Sequence, residues 1–493
     1  MYKKYLLFLI LFIASTKTIA ENYVFEFNDN CNSAYQNFMS LNIDEAKIEL
    51  SKEIKSKPNN LISLFLADYE DYILLSINCD KDLYNKNKNN LNDRIDALNK
   101  GDENSPWFRF CKAGIYLHWT IINLRFGEEY KAATLIRKSY LLLKENERLF
   151  PNFEYNQIYE GLEEAVIGSL PSNYKWIANA FGMKGSVKNG TDKLAIFVKT
   201  HNEKQPLYVE TKLYYLYTKF YLLNQQAQTW DYLCSSQFVV TGNLLNMYIK
   251  TYIGNDFHKA ENVIEIIKAA SKEKKISQYP SFDFQMGIAF LYSLNKDCIP
   301  YFQKFINTSK CELHKKDAWL KMCYYWYINN NMQMANYCRQ QIKNYGNTQL
   351  DVDKQAQKFA TEEYWPVSSL LQARLLLEGG AYMQAYTILK DIIVKNITNE
   401  GDKTEYFYRL GIVYEQAEDF KNAIQYFNYA IKNGKDRKEQ YAARACLHLG
   451  FYYENKLLKT QAISAYKEAI DMPEHDFQNS INQQAKAGLS RLE

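Results

Sequence analysis

The stretch that decides the fold is residues 404–430, TEYFYRLGIVYEQAEDFKNAIQYFNYA, together with its echo at residues 443–469, ARACLHLGFYYENKLLKTQAISAYKEA. In the first copy Phe407, Leu410, Gly411, Tyr414, Ala423, Phe427 and Ala430 stand at positions 4, 7, 8, 11, 20, 24 and 27 of one unit. In the second, Cys446 takes position 4, and Leu449, Gly450, Tyr453, Ala462, Tyr466 and Ala469 repeat the rest. Steps of three and four residues place positions 7, 8 and 11 on one face of a helix. Small residues at 8 and 20 let a second helix approach closely. The aromatic residue at 24 fills the space beside them, and Ala430 and Ala469 receive the next unit.

This pattern resembles the tetratricopeptide repeat, a helical hairpin of about 34 residues. One hairpin cannot bury its own apolar face, so neighbours must stack. The resemblance therefore implies an all-α, tetratricopeptide-like α-α superhelical solenoid. The last segment, with Ala485, Leu489 and Leu492 at helical spacing among Gln, Lys and Arg, reads as a capping helix.

Weaker copies extend toward the N-terminus. Trp319, Cys323, Trp326 and Ala335 take positions 4, 8, 11 and 20 of one unit, and Ala373, Leu376, Ala385 and Leu389 take 8, 11, 20 and 24 of the next. Ala46, Leu50 and Pro58 mark a degenerate first repeat. Residues 80–92, rich in Asn and Lys, read as an exposed connection, and Gly401 to Lys403 as a loop. About ten to twelve hairpins are expected in all. The chain divides into a leader at 1–20, an N-terminal degenerate helical-repeat region at 21–200, divergent hairpins at 201–400, and two well-formed repeats with a cap at 404–493.

Residues 161–197 break the simple pattern. Gly161 and Ser169-Leu170-Pro171 are followed by Gly182, Met183, Gly185, Gly190 and Leu194. This spacing resembles the tetratricopeptide-39 and inclusion-body-clearance family, with Met183 where that family usually has Phe and a single Leu before Pro171. The resemblance implies a helical-repeat protein without catalytic residues. Pro171 and the glycines at 182, 185 and 190 also make 161–200 a candidate hinge between two solenoid halves.

The composition suits such an array: 47% apolar residues, 41 Tyr and 27 Phe to pack helices, and only 9 Pro and 19 Gly to break them. Lys3 and Lys4 precede an apolar run, Tyr5 to Ala14, and Thr18-Ile19-Ala20 offers small residues for a cut after Ala20. That is a secretory signal peptide, too short in its apolar part to span a bilayer, which takes about 20 residues. Export to the periplasm or cell envelope is the expected address. No Cys stands at the cleavage site, so a lipoprotein is not expected. The chain has 60 basic against 56 acidic residues, and Lys3, Lys4 and Lys17 leave with the leader. A mature chain this close to neutral carries no footprint for nucleic acid.

No catalytic pattern emerges. The six His are scattered without metal-ligand spacing. Gly182 and Gly185 form neither a phosphate loop nor a dinucleotide fingerprint. Asp80 and Asp82 begin a calcium-loop spacing that fails at Asn85 and Leu91. The nine Cys lack CxxC; Cys323 and Cys446 sit at repeat-core positions, and although Cys298 and Cys311 lie close enough in sequence to close a short loop, packing as small apolar residues is the preferred reading. Neither cofactor nor metal is expected.

The leading functional reading is a non-enzymatic scaffold that binds a protein or peptide partner. Its groove would be lined by positions 2, 5, 9 and 12 of each first helix: Glu405, Tyr408, Ile412 and Glu415, then Arg444, Leu447, Phe451 and Glu454. The alternative is a glycan-binding envelope component resembling the SusD type, against which the missing lipidation Cys argues.

Overall fold

A computed structural model describes residues 23–170, 178, 181–270 and 274–492. The leader expected at 1–20 and Pro171 lie outside these residues. Among the described residues the chain is helical throughout, apart from one isolated bridge between Val24 and Asn60.

Helices pair in chain order. The first hairpin is α1 (Asp29–Phe38) with α2 (Ile43–Ser56), followed by α3 (Ile62–Asn78), α4 (Lys81–Asn87) and α5 (Asn90–Leu98). Next come the pairs α6 (Pro106–Arg125) with α7 (Glu129–Leu149), and α8 (Asn156–Gly168) with α9 (Val187–Thr200). Then α10 (Tyr208–Tyr217) runs straight into a π turn, Thr218–Leu222, before α11 (Gln226–Cys234). The array continues with α12 (Leu244–Asp256), α13 (Ala260–Ala270), α14 (Ser281–Tyr292), α15 (Cys298–Thr308), α16 (Lys315–Ile328), α17 (Met332–Asn344) and α18 (Asp351–Thr361). It closes with α19 (Ser368–Gly379), α20 (Tyr382–Lys390), α21 (Glu400–Gln416), α22 (Phe420–Gly434), α23 (Tyr441–Asn455), α24 (Lys459–Asp471) and the cap α25 (Gln478–Leu492).

Two of the expected connections are helical. Residues 80–92 form α4 and the start of α5, because Asp80 caps α4 by accepting from the amides of Asp82 and Leu83. Tyr84 is buried there, stacked on Phe126. Gly401 to Lys403 belong to α21, which starts earlier because Asn399 accepts from the amides of Gly401 and Asp402. In both cases a side-chain cap supplies the partner that the first orphan amides of a helix need.

The hairpin turns share one geometry. Leu41, His258, Leu294, Asn330, Glu418 and Leu457 hold left-handed backbone with φ between 51° and 59°, and Gly127 and Gly380 take the same place in their turns. In each turn the next amide reaches back five residues, as from Asp419 to the Tyr414 carbonyl and from Leu458 to the Tyr453 carbonyl. This satisfies carbonyls that the helix end leaves free. Most of these turns lack glycine.

Packing follows the repeat signature with one refinement. A Cβ on Gly411 would lie 2.5 Å from the Phe427 ring, and one on Gly450 would lie 2.4 Å from the Tyr466 ring. The glycine therefore receives the aromatic ring directly, while Ala423 and Ala462 pack in the core beside it. The glycines of 161–190 make a different close contact, between α8 and α9: a Cβ on Gly190 would meet the Gly161 carbonyl oxygen at 2.4 Å, and one on Gly185 the Glu164 carbonyl oxygen at 2.5 Å. The apolar core runs past this crossing without a break, in one cluster extending from Cys31 to Leu375.

The array curls back on itself. The first hairpin rests on the segment after α13, where Lys275 pairs with Glu45 at 2.6 Å and the Tyr279 hydroxyl donates to the Leu41 carbonyl at 3.3 Å. At the other end α25 docks against α8, α9 and the π turn. Ala487 is buried with Ala165, Val187 and Leu222. Gln483 donates to the Ser169 hydroxyl at 3.3 Å, and the Arg491 guanidinium donates to the Leu222 carbonyl.

Candidate binding face on the inner side of the superhelix

The first helices of successive hairpins, α12, α14, α16, α19, α21 and α23, lie side by side and form an inner layer. The π turn after α10 and the cap α25 complete it. Tyr217 and Tyr221, one helical turn apart, project from the end of α10 and the π turn. Tyr248, Tyr252 and Asp256 share one face of α12 by the same spacing.

Tyr252 is 44% exposed and Tyr217 36% exposed, and Asp256 is also open to water. These groups nevertheless titrate as though enclosed. Loss of solvent raises the Asp256 carboxyl to about 6, although it accepts a 2.6 Å hydrogen bond from the Tyr221 hydroxyl. The Asp256 charge, followed by loss of solvent, drives the Tyr252 phenol upward, and desolvation does the same to Tyr217. Water reaches all three groups, and the Asp256 charge and the packing around them shift their ionisation together.

A chain of ion pairs continues from this region across the inner layer. His258 lies 3.7 Å from Glu378, Glu378 pairs with Arg409 at 2.8 Å, and Arg409 pairs with Glu405 at 3.1 Å. Glu405 also receives the Arg374 guanidinium in a two-point grip. Although burial alone would raise the Glu378 carboxyl, Arg409 and His258 hold it down at about 2. The buried members, Glu405 and Arg409, are tolerable only because each is paired.

The eight groove positions read from the two best repeats fall largely within this paired layer. Glu405 is 1% exposed, and Tyr408, Ile412 and Leu447 are buried too, so these four present no surface to a partner in this conformation. Tyr408 is wedged among Phe427, Tyr441 and His448. The remaining four are half-buried and engaged: Glu415 with His448 at 2.7 Å, Arg444 with Gln440 at 2.5 Å, Phe451 against Tyr466, and Glu454 with Arg491 at 2.6 Å. The closing cap and the neighbouring repeats occupy the places that an isolated pair of repeats would leave open. The open part of the face lies upstream, at Tyr217, Tyr252 and Asp256. Its sequence signal is the i, i+4 recurrence of Tyr in α10 and α12, which the repeat signature does not contain.

A second polar cluster is sealed. His118 lies 2.9 Å from Asp68 and 3.5 Å from Glu210, and all three side chains are buried. Burial works against the imidazolium, but the two carboxylates lift it to about 9. With no solvent path, this cluster joins α3, α6 and α10 as a structural tie. Among the described residues, no group of three or more His, Cys, Asp and Glu side chains is placed to hold a metal ion. No described helix is long and apolar enough to cross a membrane.

No protein-family model matches the chain, and no curated protein matches it. Among solved structures it is similar to the crystal structure of the APC/C hetero-tetramer Cut9-Hcn1, with 12% identity, 92% of this chain and 96% of that chain covered, and a TM-score of 0.27. That likeness carries no argument about partner or activity. The chain's own hairpins, turns and small-residue contacts define its class: a tetratricopeptide-like α-α superhelical protein.

Proposed function

We propose that this protein is a non-enzymatic scaffold whose inner face seats an extended polypeptide segment of a partner, in the periplasm or cell envelope of a bacterium. The observation that carries the reading is the set Tyr217, Tyr252 and Asp256, exposed together on helices of the inner layer. Tyrosine rings offer large contact area with few rotatable bonds to freeze. The Asp256 carboxylate supplies an acceptor for a backbone amide or a basic side chain. Export rests on the leader at 1–20, and the resemblance of 161–197 to the tetratricopeptide-39 family fits a scaffold without catalytic residues.

Site-specific photo-crosslinking tests this. A crosslinker at Tyr252 captures the partner in the native envelope, whereas one at Tyr130, 79% exposed on α7, does not. Equal capture from both positions would sink the inner-face reading. Oligosaccharide binding by calorimetry, abolished by Tyr217→Ala/Tyr252→Ala and accompanied by no protein crosslink, would favour the SusD-type alternative.

A further inference from the structure

Cys79 ends α3 in left-handed backbone, and Cys311 lies between α15 and α16. Far apart in sequence, they pack together in a small cluster with Leu313, covered by Phe126 and Leu350. Their chain neighbours are clamped as well: Lys310 pairs with Asp80 at 2.8 Å across 230 positions of sequence. Both cysteines are free thiols, buried but not sealed, at 5% and 7% exposure. The Cys79 thiol donates to the Ser76 carbonyl at 3.7 Å, which also accepts from Arg125 Nε at 3.1 Å, and the Cys311 thiol lies beside Cys79. Cys298, the pairing suggested by sequence proximity, is instead packed in the main core.

We infer that Cys79 and Cys311 are a disulfide-forming pair that staples the N-terminal hairpins to the middle of the array. Chemistry at the pair supports this. The hydrogen bond from Cys311 and the charge of Arg125 bring the Cys79 thiol down to about 7, while Cys311 is driven up by the same coupling and by burial. Of the two, Cys79 is the thiol tilted toward thiolate near neutral pH, and thiolates are the nucleophiles of disulfide exchange. The oxidant is a disulfide, either low-molecular-weight or carried by a protein thiol oxidant. The Cys79 thiolate attacks one of its sulfurs, forming a mixed disulfide and expelling one thiolate. Cys311 then gives its proton to water and attacks the Cys79 sulfur, expelling the second thiolate. Two protein thiols are oxidised by two electrons, and one external disulfide is reduced to two thiols. Closing a loop this long restricts the unfolded chain, so the oxidised form is the more stable one. Arg125 also faces Tyr248 and Tyr252, which places the staple at the edge of the inner face.

The test uses the full chain with Cys234→Ser, because Cys234 is the exposed cysteine. Reduced protein is equilibrated in oxidised and reduced glutathione, quenched in acid, alkylated while unfolded, and digested without reduction. The expected result is a linked peptide pair containing Cys79 and Cys311, a loss of two alkylatable thiols, and a thermal midpoint several degrees above that of the reduced protein. Cys79→Ser and Cys311→Ala each remove the linked pair. Alkylation of both cysteines in excess oxidised glutathione, or glutathione on one of them without a linked peptide, would overturn the inference. The wild-type measurement decides the matter even if neither variant folds.

Discussion

The Arg491 guanidinium on the final helix donates to the main-chain carbonyl of Leu222, 269 residues earlier, and grips the Glu454 carboxylate at 2.7 and 2.6 Å. One side chain thereby ties the cap both to the preceding hairpin and to the π turn beside Tyr217 and Tyr221. Removing it strips the half-buried Glu454 carboxylate of its cationic partner and leaves that carboxylate only the Tyr466 hydroxyl. Arg491→Ala should cost about 2 kcal/mol in urea unfolding and should speed amide exchange in α25. Unchanged exchange in α25 would show that the apolar contacts of Ala487 close the array without it.

Leu457 turns one hairpin at φ 58° and is 90% exposed. Left-handed backbone costs an L-residue about 1–2 kcal/mol, which glycine largely avoids. Its side chain packs on little, so Leu457→Gly should stabilise the protein by about 0.5–1 kcal/mol after the entropy of the unfolded glycine is counted. A denaturation midpoint that falls would contradict this account of the turn.

Gly190 and Gly161 set the crossing of α8 and α9 by backbone contact. Backbone cannot swing aside as a side chain can. Gly190→Ala should therefore destabilise by about 1–3 kcal/mol, and more than Gly182→Ala, whose left-handed backbone is strained but whose Cβ would meet nothing within 4 Å. Thermal unfolding of the two variants gives the order directly.

Glu163 is buried, one of its oxygens has no hydrogen-bond partner, and burial raises its carboxyl to about 8. A folded-state pKa above the unfolded value of 4.5 means that the folded protein holds this proton more tightly. The associated stability is fully present below about pH 4.5 and is lost as pH rises through 8. Glu163→Gln, which is neutral at every pH, should flatten that decline and be the more stable protein at pH 8. Parallel wild-type and variant stability curves from pH 5 to 9 would rule it out.

Much of the architecture was legible from residues alone because a repeat writes its packing into local spacing. Gly411 and Phe427, or Gly450 and Tyr466, meet within one hairpin, and their sequence separation is set by helix geometry and a short turn. The helices over 80–92 and 401–403 were missed because capping by Asp80 and Asn399 outweighed Asn-rich and Gly-containing composition. The surroundings of the expected groove residues were hidden for a different reason. Periodicity gives their spacing along the helix, but burial at Glu405 and Tyr408 depends on Arg374 and Tyr441, which come from other hairpins.

The sequence by itself determined the helical hairpins and their stacking, since those follow from contacts within about forty residues. Only the tertiary structure decided that the array curls until α25 meets α8 and α9, that Tyr217, Tyr252 and Asp256 are left exposed, and that Cys79 meets Cys311. Each of these depends on small rotations accumulated over many hairpins, and no local spacing encodes that sum.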